Sequence, residues 1–206
     1  MMLKKRSSEM DITQSLFPVL YVFIIIITIV LVIVLSLWRY RTIKRLMEQQ
    51  ATKRSGTVVG TFLLPLLKFS YRALPVLVTS VPGSKYRHAK TEVSVTLLKP
   101  VPKNLTIRKE SVSTRLGKAW GAADVQLESD EFDREFLIKT EDEAFARNFV
   151  NFTLQNKLLE MKQEKPRISL EGTWMTVQVP RVVKTEEGYD QLIDLAFTLV
   201  DRIQEL

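Results

Sequence analysis

Hydrophobic residues are concentrated in one uninterrupted stretch near the amino end of the chain. Residues 16–38 read LFPVLYVFIIIITIVLVIVLSLW and contain no charged side chain. As an α-helix this stretch is about 35 Å long, enough to cross a hydrocarbon core of about 30 Å. The small hydroxyl side chains Thr28 and Ser36 can bond back to helix carbonyls. The pattern predicts a single transmembrane helix over residues 16–38, preceded by a short tail, residues 1–15.

A buried core helix and a cleaved signal peptide are the two other interpretations of this stretch. A core helix rarely runs so far without a polar interruption. A signal peptide has a shorter apolar region that ends in a small-x-small cleavage site. Residues 36–40 read SLWRY and lack that site. We therefore interpret the stretch as a retained anchor.

Beyond residue 57 the hydrophobic pattern changes to short runs that are typical of strands. These runs are 58–67, 75–81, 92–98 and 105–107, with turns at 82–84 and 100–102. In the third run Val93, Val95 and Leu97 share one face. Pro65 and Pro75 argue against helices and against central strand positions. The first half of this region is therefore predicted to be strand-rich.

The second half mixes strands and helices. Short strands are predicted at 125–127 and 136–138, and a hairpin at 168–179 around residues 171–173. The capping box Thr140–Glu143 predicts a helix, whose apolar stripe is Phe145, Phe149, Phe152 and Leu159. A last helix is predicted to begin near Thr185. Its stripe comprises Tyr189, Leu192, Ile193, Ala196, Leu199, Val200 and Ile203. Residues 57–206 thus predict one α+β domain, with two C-terminal helices packed on a mainly antiparallel sheet.

Composition excludes several kinds of chemistry. The 206 residues include no cysteine and one histidine, His88. Disulfides, thiolate nucleophiles and Cys-ligated metals are therefore excluded, and multi-histidine sites are disfavoured. The net charge is +7, of which residues 1–56 contribute +6. The excess of basic residues belongs to the membrane flank, so we predict no nucleic-acid partner.

Charge on either side of the span predicts its orientation. Three bases precede it, Lys4, Lys5 and Arg6, and six follow it in the predicted basic connector over residues 39–56. By the positive-inside rule, the domain is cytoplasmic. Two groups of side chains are candidates for contact with anionic lipid or with a partner. The groups are Arg39, Arg41, Lys44 and Arg45 in the connector, and Lys85, Arg87, His88 and Lys90 near a hairpin tip.

The domain itself is asymmetric in charge, since residues 57–121 carry +9 and residues 122–206 carry −8. The basic half could face anionic lipid while the acidic half faces the cytosol. Alternatively, strands from both halves interleave in one sheet and their charges cancel as surface pairs. We favour interleaving, because strands from both halves are expected to share a core.

An acidic segment, residues 124–136, carries six carboxylates and raises the hypothesis of a Ca²⁺ or Mg²⁺ site. A metal-dependent hydrolase would use Asp124, Asp130 and Asp133. The segment lacks the spacing of an EF-hand and contains no glycine for the sharp turn. We interpret it as a solvated turn that Phe132 and Phe136 anchor, while Asp133 caps local N–H groups. No catalytic, cofactor-binding or metal-ligating residue is predicted.

A recurrent pattern combines an Arg-Leu-Gly-Lys stretch at 115–118, Gly121 and Asp124, and the run at 131–136. Through this pattern, residues 70–206 resemble a group of prokaryotic membrane-anchored proteins of unknown function. The positions that match as structural residues are Gly117, Lys118, Phe132, Asp133 and Phe136. The resemblance implies a membrane-tethered α+β domain and no particular activity.

The sequence therefore favours a membrane-tethered, non-enzymatic interaction or scaffold module without a cofactor. Its expected partners are the lipid bilayer and another protein. The alternative is a domain that binds an anionic lipid surface, and a metal-dependent hydrolase is the third hypothesis.

Overall fold

The computed structural model describes the backbone of residues 3–61, 64–85, 88–109, 124–127 and 129–206. Side chains are described over the same ranges except at residues 3–19, 39, 61, 64 and 124. The chain divides into two compact units, Met1–Thr42 and Ile43–Leu206. The second unit is the domain.

The first helix, α1, spans Leu3–Lys53 and contains the predicted membrane segment. An 18-residue window within Leu20–Lys53 has a mean hydropathy of 3.3, and none of that window is buried in the protein. Thr28 and Ser36 donate to the carbonyls of Ile24 and Val32, at 2.8 and 2.7 Å. Their hydroxyls are thus satisfied within the helix, as predicted. Among the described residues, α1 is the one helix long and apolar enough to cross a membrane.

The domain is built on an antiparallel sheet that has nine strands in the described part of the chain. Their order across the sheet is β1-β2-β3-β4-β9-β8-β5-β7-β6. The strands are β1 (Thr57–Thr61), β2 (Leu64–Tyr71), β3 (Leu74–Val81), β4 (Lys90–Thr96), β5 (Leu105–Lys109), β6 (Asp124–Val125), β7 (Phe136–Thr140), β8 (Arg167–Glu171) and β9 (Trp174–Val179).

One face of this sheet forms the core. Burial alternates along β3, β4 and β9, so that Val78, Val93 and Val177 are buried while their neighbours face outward. This is the period of two that a half-buried strand requires. The opposite face carries polar side chains, such as Ser94 and Thr176, which are direct cross-strand partners.

Helices cover the buried face. They are α2 (Asp130–Glu135), α3 (Glu143–Phe149), α4 (Phe152–Glu160) and α5 (Glu186–Glu205). The last helix begins as predicted, because Thr185 accepts from the N–H of Gly188. It packs against β4 and β9, and its Phe197 ring stacks on Tyr71 with 3.7 Å between ring centroids. The α+β fold, with its antiparallel sheet and C-terminal helices, is confirmed.

The end of α1 belongs to the domain. Residues 39–56 were predicted to be a connector, but Ile43, Met47 and Ala51 are buried in the hydrophobic core. Their spacing of four residues places them on one side of the helix. Residues 43–53 are therefore a structural element of the domain, and the predicted start at residue 57 is too late.

The helix predicted from Phe145 to Leu159 is two helices. Asn151 accepts from the N–H of Leu154 at 3.0 Å and caps α4, which separates it from α3. The break rotates the second helix, so that Phe152 is 75% exposed while Leu154 and Leu158 are buried. The predicted stripe is therefore wrong at Phe152, whereas Phe149 is buried and Phe145 and Leu159 pack against the core. The N-cap of α3 is Asp142, and Thr140 accepts from the N–H of Asp142.

Two prolines occupy strands without breaking the sheet. Pro75 lies in β3, which is flanked by β2 and β4, although the sequence argued against such a position. It pairs with Ser70 of β2, while the pairing of β3 with β4 begins only at Val76. Pro65 similarly pairs with Gly60, and the pairing of β2 with β3 begins at Leu66. Each proline is thus paired with a neighbouring strand on one side only, so that its missing N–H does not interrupt the pairing on the other side.

The two charged halves interleave, as favoured from the sequence. Strands β9 and β8, from the acidic half, lie between β4 and β5 from the basic half. Ion pairs join the halves at Arg72–Asp201 (3.0 Å), Lys109–Glu135 (3.4 Å) and Lys103–Glu141 (4.0 Å). Much of the charge asymmetry along the sequence is therefore cancelled locally.

Candidate functional site

The bases that follow the membrane segment have two different environments. Arg41, Lys44 and Arg45 are exposed, and Lys44 lies 3.6 Å from Glu48 one turn away. Lys53 and Arg54 instead contact the Asp190 carboxylate of α5, each at 2.7 Å. The first three are thus on the exposed surface of the helix, whereas the last two hold the end of α1 to the domain. The side chain of Arg39 lies outside the described residues.

Asp190 is the acceptor at this junction. Burial acts to raise the pKa of its carboxyl, but hydrogen bonds from Lys53 and Arg54 outweigh burial and place that pKa below its ordinary value. The carboxylate is therefore charged at neutral pH and ties α5 to α1. No local pattern indicates this pairing, because the partners are more than 130 residues apart in the chain.

The second predicted group lies around the connection between β3 and β4. His88 is exposed, and the ammonium of Lys90 lies 2.6 Å from Glu92. Lys85 is exposed as well, and Arg87 lies outside the described residues. The structure brings His88 and Lys90 to the same cleft.

This basic cleft has a volume of about 700 Å³ and lies where four neighbouring strands end or begin. Strands β4 and β8 start there, and β9 and β5 end there, because the sheet is antiparallel. Its lining includes six basic side chains and, among the described residues, no carboxylate. The six are His88, Lys90, Arg108, Lys109, Lys165 and Arg167.

Arg108 and Arg167 are two of the residues that line the basic cleft. They are direct cross-strand partners in the register of β5 and β8. Sequence reasoning missed both, because the pairing of strands some 60 residues apart was not predictable from local pattern. An informative signal was nevertheless present, since Arg167 immediately precedes the hairpin strand that was predicted to begin at residue 168, and Lys165 lies two residues before it.

The acidic segment uses its polar side chains locally. Asp133 accepts from the N–H of Leu127 at 3.0 Å, and Ser129 caps α2 by accepting from Phe132. Phe132 and Phe136 are buried and stacked, with 5.1 Å between centroids. The predicted anchoring and capping roles are thus observed. Burial raises the pKa of Asp133 despite the bond from Leu127.

Metal ligation by this segment finds no support in the described residues, where no three His, Asp or Glu side chains are grouped to hold an ion. Asp130 lies in the first turn of α2 with Asp133. The side chain of Asp124, and residues Gly117 and Lys118, lie outside the described part.

A buried cluster of hydroxyls joins the start of α5 to the sheet. Ser80 lies 2.7 Å from the Tyr189 hydroxyl and 3.1 Å from that of Thr91. Thr91 also donates to the Arg181 carbonyl and accepts from the N–H of Val183. Burial raises the pKa of Tyr189 to about 12, although the bond to Ser80 opposes this shift. Because each hydroxyl is bonded within the protein, the cluster is structural.

Comparisons with known proteins give a likeness of fold but no family. No protein-family model matches the chain, and no curated protein matches it. Among solved structures, the chain is similar to the crystal structure of the mycobacterial trehalose monomycolate transport factor A, TtfA. The TM-score is 0.56 at 10% sequence identity, and the match covers 81% of this chain and 97% of that one. At this identity the likeness shows a shared fold.

Proposed function

We propose that this chain is a single-pass membrane protein whose domain, residues 43–206, faces the cytoplasm and acts as a non-enzymatic interaction module. One observation carries the proposal. The apolar part of α1 is exposed over residues 20–36, with side chains such as Ile26, Leu31 and Val34 about half accessible. Such a surface is stable in lipid and costly in water.

The end of the same helix supports attachment of the domain to the membrane. Ile43 and Met47 pack in the domain core only a few residues beyond the apolar stretch. The domain is consequently held near the bilayer by a structural element of its own. Exposed Arg41 and Arg45 lie in the intervening turns, where anionic headgroups favour bases.

The polar residues of the domain support a binding role over catalysis. Asp133, one of the acids considered for a hydrolase, accepts from a backbone N–H group. Two other acids of the domain also have structural partners, since Asp142 caps a helix and Asp190 pairs with two bases. TtfA, which shares the fold, is named as a transport factor. The interaction module could therefore serve as an accessory subunit of a membrane complex. The resemblance to membrane-anchored prokaryotic proteins of unknown function remains a prediction that agrees with it.

Isolation of the protein from its own membranes tests this proposal. The full-length chain and a variant in which residues 16–38 are replaced by polyleucine of equal length are crosslinked, solubilised in detergent and purified. We expect both to recover the same protein partner, because the domain makes the contact. Recovery of no reproducible partner, with the chain monomeric, contradicts the proposal. Loss of the partner in the polyleucine variant also contradicts it, since the helix would then make the contact.

A further inference from the structure

We infer that the basic cleft is a binding site for a phosphate-bearing ligand, held mainly by Arg108 and Arg167. The inference goes beyond a tethered interaction module, because it concerns a small anionic ligand and holds whether or not a protein partner binds elsewhere. It rests on the placement of these two arginines, on their lack of partners and on the cleft around them.

The first observation is the pairing of like charges. Arg108 and Arg167 lie directly opposite each other on neighbouring strands, where side chains start about 5 Å apart. Like charges at such positions destabilise a sheet. The carboxylate in the same cross-strand row, Glu92, lies two strands from Arg167, about 10 Å away. Glu92 is already bonded to Lys90 and Ser94.

The second observation is that these arginines lack acceptors. Arg108 is partly buried, and its Nε is fully buried with no hydrogen-bond partner among the described residues. Arg167 forms no ion pair with any carboxylate in the described part of the chain. Two arginines on paired strand positions without acceptors supply N–H donors of the kind with which arginine binds phosphate.

The surrounding residues extend the positive charge. Lys165 lies at the cleft in a left-handed backbone conformation, φ 52°, which favours glycine. A lysine in this position brings an ammonium group to the cleft beside Arg167. His88 lies at the opposite side of the cleft, on the connection that precedes β4. Lys165 and His88 thus join Arg108 and Arg167 in a lining that contains no carboxylate among the described residues.

Cleft size indicates the class of ligand. A volume of about 700 Å³ exceeds the space that a single phosphate fills and lies in the range of sites for small organic ligands. The ligand is therefore a phosphate or pyrophosphate group attached to an organic portion. A soluble phosphoester and the headgroup of a phospholipid share this chemistry.

Binding is tested with the full-length protein in nanodiscs of zwitterionic lipid. The probes are inorganic pyrophosphate, followed by calorimetry, and short-chain phosphatidic acid, with short-chain phosphatidylcholine as the neutral comparison. The variants are Arg108→Gln and Arg167→Gln. The matched control is Arg147→Gln, an exposed arginine whose guanidinium bonds to Glu143 on its own helix.

We expect the wild type and Arg147→Gln to bind pyrophosphate, and each cleft variant to bind it about tenfold or more weakly, because a charge-assisted bond is lost. Thermal unfolding provides a second readout. Without ligand, Arg167→Gln should unfold at the same temperature as the wild type or higher, since a repulsive pair is removed. A purely structural arginine would give the opposite shift.

The two probes distinguish the source of the phosphate. Binding of phosphatidic acid that pyrophosphate displaces supports a lipid headgroup in the same cleft. Binding of pyrophosphate alone supports a soluble phosphoester. Binding of neither probe at low salt overturns the inference, as does binding that the cleft variants leave equal to that of Arg147→Gln.

Discussion

At the scale of single residues, the hydroxyls of Ser80, Thr91 and Tyr189 show how a core position acquires a polar role. The sequence placed Tyr189 correctly in the apolar stripe of the last helix, where it is fully buried. Its hydroxyl partner comes from β3, 109 residues earlier. Burial of a phenol is tolerated because the group is bonded and stays neutral.

Tyr189→Phe should lower the free energy of unfolding by about 1–2 kcal/mol at neutral pH, since one buried hydrogen bond is lost. In the wild type, the folded pKa of about 12 exceeds the ordinary value of 10.0. The folded state therefore binds more protons above pH 10, and its stability should fall between about pH 10 and 12. Thermal unfolding of the detergent-solubilised protein across this range measures the slope.

The variant supplies the control, because Tyr189→Phe carries no phenol at this position. Between pH 10 and 12 the free energy of unfolding should fall less in the variant than in the wild type. The difference between the two losses should be about 2–3 kcal/mol. Equal losses in both proteins would show that other groups govern the alkaline transition.

Neighbouring residues differ in how much of their role is local. Phe132, Asp133 and Phe136 lie within five residues of one another, in α2 and at the start of β7. The anchoring by the two phenylalanines and the N–H capping by Asp133 could therefore be predicted from spacing alone. Arg108 and Arg167, in contrast, become neighbours only through the register of β5 and β8. Local sequence contains the first kind of information and lacks the second.

At the scale of elements, the end of α1 is the clearest revision. Ile43, Met47 and Ala51 recur at four-residue intervals, a pattern that could have indicated a buried helical face. The adjacent bases instead suggested a solvated connector. Burial against the domain was decided by residues distant in sequence, including the Asp190 carboxylate.

A chain of residues 43–206 should therefore fold, while a chain of residues 57–206 should not. Removal of the helix end deletes three buried apolar side chains and leaves Asp190 without Lys53 and Arg54. A loss of several kcal/mol is expected, comparable with the whole stability of many domains at about 5–15 kcal/mol. Circular dichroism and urea unfolding of the two chains measure the difference.

Point variants of the longer chain control for length. Met47→Ala should cost about 2–4 kcal/mol, because it leaves a cavity in the core. Gln49→Ala, at an exposed position of the same helix, should change stability by less than about 0.5 kcal/mol. A cooperative transition for residues 57–206 at the same urea concentration would show that the helix end is dispensable.

Turns explain other differences between expectation and structure. The β2–β3 hairpin turns through Arg72 and Ala73, both at positive φ (48° and 64°), without the glycine or asparagine that usually marks such a turn. Arg72 is held there by Asp201 of α5. A tertiary contact thus favours a turn that local propensity does not predict.

At the scale of the whole molecule, orientation in the membrane is the central prediction. The chain contains no cysteine, so single cysteines at Ser7, Val30 and Lys184 report each region separately. With a membrane-impermeant maleimide, Ser7→Cys should label in intact cells and Lys184→Cys only after permeabilisation, because bases favour a cytoplasmic domain. Val30→Cys should stay unlabelled in both conditions, since lipid excludes the reagent.

Two results would contradict this arrangement. Labelling of Lys184→Cys in intact cells would place the domain on the outer side. Labelling of Val30→Cys to the same extent as Lys184→Cys in permeabilised cells would show that the apolar helix is not in lipid. The unmodified chain, which lacks cysteine, measures background labelling.

Candidate contact residues were predicted only in part. His88 and Lys90 were identified because a cluster of bases beside a turn is visible in sequence. The basic cleft adds Arg108 and Arg167, whose strands lie next to each other only after the two halves of the chain interleave. The net charge of each half of the domain therefore does not predict the charge around the basic cleft.

The sequence alone determined the properties that depend on neighbours along the chain. These properties are the apolar helix, whose composition favours lipid over water, and the alternation of buried and exposed residues along most strands. They also include the start and the buried stripe of the last helix. The tertiary structure decided what depends on distant partners. It placed the end of α1 in the core and brought two arginines side by side, because strand order and register join segments that no local pattern relates.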